Sequence, residues 1–145
     1  GRFFMGDTVV DAEFAEDGTV KSVGTQNFGN IRLYADNFVL ASGSFFSKGM
    51  IATPDRIYEP VFGVDLSYAE GRDQWFDRNF WNKQNYISYG AKVSKFLHAS
   101  IDGKPVGNLY AIGSLIGGSN TLYEGCGGGI ALLTALAAAD GILEK

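Results

Sequence analysis

Asn108-Leu-Tyr-Ala-Ile-Gly113, running on to Gly118 and followed by Glu124-Gly-Cys-Gly-Gly-Gly-Ile-Ala-Leu-Leu-Thr-Ala135, carries the clearest sign of architecture in the chain. Its first part is a short apolar run that ends in glycine, the pattern of a strand buried on both faces of a parallel sheet. Its last part is a glycine cluster that opens an apolar helix, predicted from about Ile130 to Leu143. Leucine and alanine surround that helix, so it is expected to be buried against a sheet, with its alanines allowing close approach. Seven of the chain's 20 glycines fall between Gly113 and Gly129.

Working outward, Asn37-Phe-Val-Leu-Ala-Ser-Gly43 repeats the pattern of a buried strand that ends in glycine. The runs Phe38 to Ala41 and Leu109 to Ile112 are expected to share one sheet, because each needs burial on two faces. Upstream, Thr8 to Phe14, Val20 to Thr25 and Asn30 to Tyr34 are β-leaning runs. Glu16-Asp-Gly18 and Asn27-Phe-Gly29 separate them, and these are turn chemistries of a three-stranded antiparallel meander. From Ser44 to about Gly107 periodicity fades and aromatics gather, which predicts a smaller α+β region packed at the sheet's edge. The fold class is therefore α/β, with 1–43 and 108–145 forming one unit and 44–107 inserted.

Composition narrows the function classes. A chain of 145 residues with 46% hydrophobic and 14% aromatic content buries a real core. Its formal net charge is -4 and it has no Lys/Arg run, which argues against a nucleic-acid partner. The longest strongly apolar stretch, Ile130 to Ala139, is far short of the ~20 residues that cross a bilayer. One cysteine and one histidine make a metal site improbable and fit a reducing compartment. Gly1-Arg-Phe-Phe-Met-Gly6 begins directly in strand-like sequence, so the chain is expected to be cut from a longer protein.

Ligands of open α/β sheets bind beyond the carboxyl ends of the strands. A helix start adds unpaired N–H groups and the positive end of a dipole, and glycines there remove side chains that would hold a flat ligand away. Gly43, Gly113, Ser114, Gly125, Cys126, Gly127, Gly128 and Gly129 are accordingly the candidate cofactor-binding residues. The plainer alternative is that these glycines only cap a helix and turn a loop.

Tyr34-Ala-Asp-Asn-Phe-Val-Leu-Ala-Ser-Gly43 and Asn108 to Gly113 resemble flavoproteins with two dinucleotide-binding domains. More narrowly, Pro54-Asp-Arg-Ile-Tyr-Glu-Pro-Val-Phe-Gly63, Asn108 to Gly118 and Glu124 to Ala135 resemble the family of the B-type subunit of bacterial anaerobic glycerol-3-phosphate dehydrogenase. The resemblance covers essentially the whole chain and corresponds to the C-terminal part of that subunit. It implies part of a Rossmann-like FAD/NAD(P)-binding domain, with 44–107 as a substrate or cap-like region. It further implies a flavin, FMN rather than FAD, in an electron-transfer subunit of respiratory glycerol 3-phosphate oxidation. The implied partners are a catalytic flavoprotein subunit and a membrane-anchored iron–sulfur subunit that delivers electrons to quinone, so that the protein is cytoplasmic and peripheral to the inner membrane.

Two departures from the family pattern stand out. Ser114 occupies the place where relatives often carry an acidic residue for the ribityl hydroxyls, and no G-x-G-x-x-G phosphate cradle occurs in these residues. The chain alone is therefore expected to be inactive and to bind flavin weakly or not at all.

Catalytic residues are unassigned. Arg56, Glu59 and His98 are the candidates; Arg56 and Glu59 are weighed against a surface ion pair or buried turn anchor, and His98 lies before a turn at Asp102-Gly103. Cys126 is read either as a redox thiol at a helix start or as a small residue fitting a tight turn. Arg72, Arg78 and Lys83 lie among Trp75, Phe76 and Trp81, where cation–π packing, a partner surface and substrate binding compete. A non-catalytic interaction domain that docks a partner through this aromatic region is the rival reading, and a homodimer is expected if apolar faces lack cover.

Overall fold

The computed structural model describes residues 3–144. In chain order the strands are β1 (Val9–Phe14), β2 (Val20–Thr25), β3 (Arg32–Tyr34), β4 (Phe38–Leu40), β5 (Ile51–Ala52), β6 (Ile57–Tyr58), β7 (Leu66–Ser67), β8 (Gly90–Ala91), β9 (His98–Ile101) and β10 (Lys104–Ala111). Two α-helices follow, α1 (Thr121–Glu124) and α2 (Gly127–Leu143). Gly1 and Arg2, with which the strand-like opening begins, lie outside the described residues. Phe3 to Gly6 form loop and turn rather than a strand, with Phe4 set edge-on to Phe28 at 5.0 Å.

The meander forms as its turns predict, in the order β1-β2-β3, antiparallel throughout. Its outer strands are tied across the middle one. Arg32 pairs with Asp11 and also donates to the Oγ of Ser22, which is fully buried and donates in turn to Glu13. Gly24 leaves room for this pair, since a Cβ there would stand 2.7 Å from Asp11 Oδ2 and 2.8 Å from Arg32 Nη1.

The second sheet has the order β4-β10-β9. β4 and β10 run parallel with Leu109 opposite Phe38 and Ala111 opposite Leu40, so the two glycine-ended runs do share a sheet. β9 joins β10 through a hairpin in which Asp102 (φ 50°) and Gly103 (φ 77°) both take positive φ, as an Asp-Gly turn of the primed type requires. Residues 98–101, read from the sequence as part of the inserted region, are thus a strand of the main sheet. The 44–107 segment holds two-residue ladders and 3-10 turns and contains no α-helix, which corrects the expected α+β content. Its aromatics explain the irregularity: Trp75, Tyr89 and Phe62 anchor the loops by burial in the same core as Leu109 and Leu115.

Two burial expectations need correction. In β10 the residues Leu109, Tyr110 and Ala111 are buried on both faces, but β4 is an edge strand whose Val39 is 46% exposed. α2 is not enclosed either. Ala138 is buried and Ile130, Thr134 and Ala135 are half-buried along one stripe, whereas Leu132, Leu133 and Leu136 are more than half exposed. A helix that is apolar all round commits no single face, and within the described residues only one side meets a packing layer.

Candidate functional site

The site is built where β4 and β10 end. Beyond the strands the parallel ladder takes one more step, with Ile112 N–H donating to the carbonyl of Leu40 at 3.1 Å. Both chains then turn sharply at a glycine of positive φ, Gly43 at 76° and Gly113 at 68°, a region that side chains rarely adopt. The Gly113 N–H donates at 2.9 Å to the hydroxyl of Thr134, which itself donates to the carbonyl of Ile130. That relay fixes the loop to the second turn of α2, where Ala131 is small enough to pass Gly113 closely.

Gly43 is held from its other side. A Cβ on it would lie 2.2 Å from Ser47 Oγ and 3.5 Å from Ser114 Oγ, so the ends of the two strands are in contact through Ser114. Thr121 extends the chain of neighbours. It shares with Ser114 a small cleft of about 90 Å³, and it stands 3.6 Å from where a Cβ on Gly127 would be. Ser114 thus links the end of β4 at Gly43 to that of β10 at Gly113, and Thr121 links Ser114 to Gly127, while a Cβ on Gly125, Gly128 or Gly129 would meet nothing within 4 Å.

The glycines of the cluster divide by role. Gly125 (φ 66°) is the left-handed residue that ends α1, a turn position. Gly127, Gly128 and Gly129 are the first three residues of α2, and a Cβ on either of the last two would meet nothing within 4 Å. No side chain caps α2. By contrast α1 is capped by Asn120, which accepts from Tyr123 N–H at 3.0 Å. A 17-residue helix thus presents its first N–H groups and its positive end without a side-chain acceptor.

Cys126 precedes these groups. Partial desolvation, followed by its hydrogen bond to Glu124 and the charge of that carboxylate, pushes the thiol above its ordinary pKa. The carboxylate of Glu124 thus opposes ionisation of the thiol at the start of α2.

A larger cleft of about 520 Å³ runs beside β4, bounded by Val39, Ser42, Lys48 and Glu59 among others. The buried hydroxyl oxygen of Ser42 has no hydrogen-bond partner there. Glu59 is 3% exposed, and its carboxylate accepts from the N–H groups of Val61 (3.0 Å), Phe62 (2.7 Å) and Gly63 (2.9 Å), the arrangement of a turn anchor. Arg56 does not pair with it. It is exposed on the β5–β6 hairpin with its guanidinium 5.0 Å from the Tyr58 ring. His98 sits on β9, across β10 from β4, with its ring 4.4 Å from that of Tyr110. The structure does not gather these three into one constellation.

Sequence reasoning missed Thr134, Asn120 and Ser42 as site residues. Asn120 before a helical stretch carries a legible N-cap signal, and a lone threonine in a Leu/Ala helix invites the question of what its hydroxyl meets. Ser42 carries no signal of its own beyond its place before Gly43.

With this geometry in view, comparison with known proteins gives the following. The family described as FAD binding domain matches residues 1–130. The B-type subunit of anaerobic glycerol-3-phosphate dehydrogenase from Haemophilus influenzae (strain 86-028NP) is 45% identical over 150 residues, covering 100% of this chain and 34% of the relative. Its counterpart from Pectobacterium carotovorum subsp. carotovorum (strain PC1) is 41% identical over 145 residues, with the same coverage. That of Vibrio vulnificus (strain CMCP6) is 39% identical over 140 residues, covering 95% of this chain and 32% of the relative. The chain thus spans about a third of the length of the curated relatives it matches. No solved structure matches it. No helix among the described residues is long and apolar enough to cross a membrane.

Proposed function

The chain belongs to the FAD-binding domain family, and on that premise we propose that it supplies the strand ends and helix start that hold a flavin's ring edge in an electron-transferring subunit of anaerobic glycerol-3-phosphate dehydrogenase. The observation that carries this reading is the uncapped glycine start of α2, adjoining Gly43, Gly113 and Ser114 at the carboxyl ends of two parallel strands. The residues fit a flavin in three respects. The N–H groups of Gly127 to Gly129 have no side-chain acceptor, nothing crowds Gly128 or Gly129, and the buried Ser42 hydroxyl lacks a partner.

When bound, the flavin supplies two-electron redox chemistry, and negative charge develops at its carbonyl edge on reduction. The Gly127 to Gly129 amides would donate to that edge, with the helix dipole adding fixed positive potential at little reorganisation cost. Ser114 and Ser42 would donate to the sugar-alcohol chain, and Gly43 and Gly113 would let backbone approach it. Glu59 in this reading shapes the cleft wall and transfers no proton.

The finer reading follows what the sequence resemblance implies. Glycerol 3-phosphate would be oxidised to dihydroxyacetone phosphate in a catalytic flavoprotein subunit, and electrons would pass by way of this protein and a membrane-anchored iron–sulfur subunit to quinone, on the cytoplasmic face of the inner membrane. We propose further that 44–97 is a cap-like region beside the flavin, and that the exposed leucines of α2 drive self-association of the isolated chain, which light scattering across a concentration series reads directly.

The test is to purify the complete protein and release its cofactor with acid. About one flavin per chain is expected. A colourless protein would overturn the reading. Chromatography of the released flavin decides between FMN, which the sequence resemblance implies, and FAD, which the description of the family names.

A second reading has its own observation. Phe80 is 78% and Trp81 89% exposed, stacked edge to face at 5.3 Å, and such aromatics mark partner surfaces. A docking domain without flavin would keep this surface and give the colourless outcome.

A further inference from the structure

Behind the Phe45–Tyr86 ring pair, on the side away from Ser114, lies a cleft of about 430 Å³ that the flavin reading does not use. Its walls are Phe45, Ile57, Trp75, Phe76 and Tyr86. They are fixed before any ligand arrives. Trp75 is buried, donates its indole N–H to the carbonyl of Ala69 at 2.7 Å, and accepts from the N–H of Tyr86 at 2.9 Å. Tyr86 and Phe45 meet edge to face at 6.2 Å. Phe76 nevertheless remains 52% exposed, an apolar surface that its neighbours leave uncovered.

One charged residue lines this cleft, Arg72, and no carboxylate does. The ion pairs among the described residues are both made by Arg32, so the Arg72 guanidinium is not committed to an acidic neighbour. An apolar pocket of several hundred Å³ with few polar groups on its lining, here Arg72 and Thr53, is the ordinary form of a small-molecule site. A guanidinium at its border selects a group that accepts in a fork, which means a carboxylate or a phosphate monoester.

We propose that this cleft binds a small amphiphilic anion, with its apolar body against Trp75, Phe76 and Tyr86 and its carboxylate or phosphate on Arg72. The site is independent of the flavin reading and stands or falls without it. Phe45 and Tyr86 also line the small cleft that Ser114 borders, so an occupant here lies one ring pair from the strand ends.

Octanoate, octyl phosphate and octanol are titrated against the complete protein and followed by calorimetry, with a Trp75→Phe variant to assign any change in tryptophan emission to the cleft wall. At least one anion is expected to bind saturably at one site, with octanol at least fivefold weaker. Arg72→Gln should weaken that anion about tenfold and leave octanol unchanged, whereas Arg72→Lys should retain part of the preference. Ala52→Phe, on an exposed strand residue that borders the cleft, should abolish binding of all three. The stronger of the two anions identifies the headgroup as acyl carboxylate or phosphate ester. No saturable change with either anion, equal affinity for octanol, or binding that survives Ala52→Phe would overturn the proposal. Far-UV circular dichroism verifies that each variant is folded. If Arg72→Gln loses its fold, Arg72→Lys against octanol carries the charge comparison.

Discussion

Asn108 completes the peptide of Val20 in both directions: Val20 N–H donates to Asn108 Oδ1 at 2.9 Å, and Asn108 Nδ2 donates to the Val20 carbonyl at 2.8 Å. One amide side chain, at the middle of β10, thus takes the place of a neighbouring strand for the first residue of β2. The same Nδ2 also donates to the Asp36 carbonyl just before β4. Meander and parallel sheet are locked together at this residue, which places the end of β4 beside that of β10.

Asn108→Ala should therefore cost more than an ordinary polar substitution. Val20 is 2% exposed, so its N–H and carbonyl would lose their partners without access to water. A loss of roughly 2–4 kcal/mol is expected in denaturant unfolding. Asn108→Asp, which keeps the acceptor and loses the donor, should also destabilise. A change under about 0.5 kcal/mol for the alanine variant would mean that the two units are held by apolar packing alone.

Glu59 separates a structural role from a catalytic one. Its carboxylate collects three backbone N–H groups, so Glu59→Ala is expected to destabilise by about 3 kcal/mol, with Glu59→Gln intermediate. In the complete protein, Glu59→Gln at a temperature where it is folded should retain most of its turnover. A Glu59→Gln protein of undiminished stability and no turnover would return the residue to catalysis.

Gly90 is a place where only backbone fits. A Cβ there would lie 2.3 Å from the Leu115 carbonyl oxygen and 2.4 Å from the Gly117 nitrogen. Gly90→Ala must push the Leu115 to Gly117 loop away and break the bridge from Ala91 to Ile116. The expected loss is roughly 2 kcal/mol or more. Amide exchange should quicken at Gly117, whose N–H donates to the Ala91 carbonyl. Unchanged protection there would refute the account.

Gly128 is the opposite case. Nothing lies within 4 Å of its missing side chain, so Gly128→Val should leave the unfolding free energy within about 0.5 kcal/mol of the parent. In the complete protein the same change is expected to lower flavin content, because the branched side chain would stand between the α2 amides and the ring. Full flavin occupancy in a folded Gly128→Val protein would rule out this helix start as the contact.

Cys126 should behave as a sluggish thiol. Desolvation and Glu124 raise its pKa, so the thiolate fraction near neutral pH is smaller than for an ordinary cysteine, and alkylation should rise only at higher pH. Glu124→Ala removes the hydrogen bond and the charge that both oppose ionisation, and should speed iodoacetamide labelling. In the complete protein Cys126→Ser should leave flavin content unchanged. Labelling faster than that of a free thiol at pH 7 would show an activated cysteine instead.

Features set by neighbouring residues can be read along the chain. Glu16-Asp-Gly18 and Asn27-Phe-Gly29 turn the meander, Asp102-Gly103 accepts the positive φ of a hairpin, and the two glycine-ended apolar runs pair in parallel. The glycine cluster at the start of α2 was equally legible. What depends on partners far along the chain emerges only in the folded protein. Asn108 finds Val20 across 88 residues, and Gly90 faces Gly117 backbone to backbone. Gly113 gives its N–H to Thr134, and Glu59 turns its charge inward to three amides rather than out toward a substrate. The fold also leaves Leu132, Leu133 and Leu136 exposed, since hydrophobicity states that a side chain prefers cover and not whether a neighbour lies on that side to provide it.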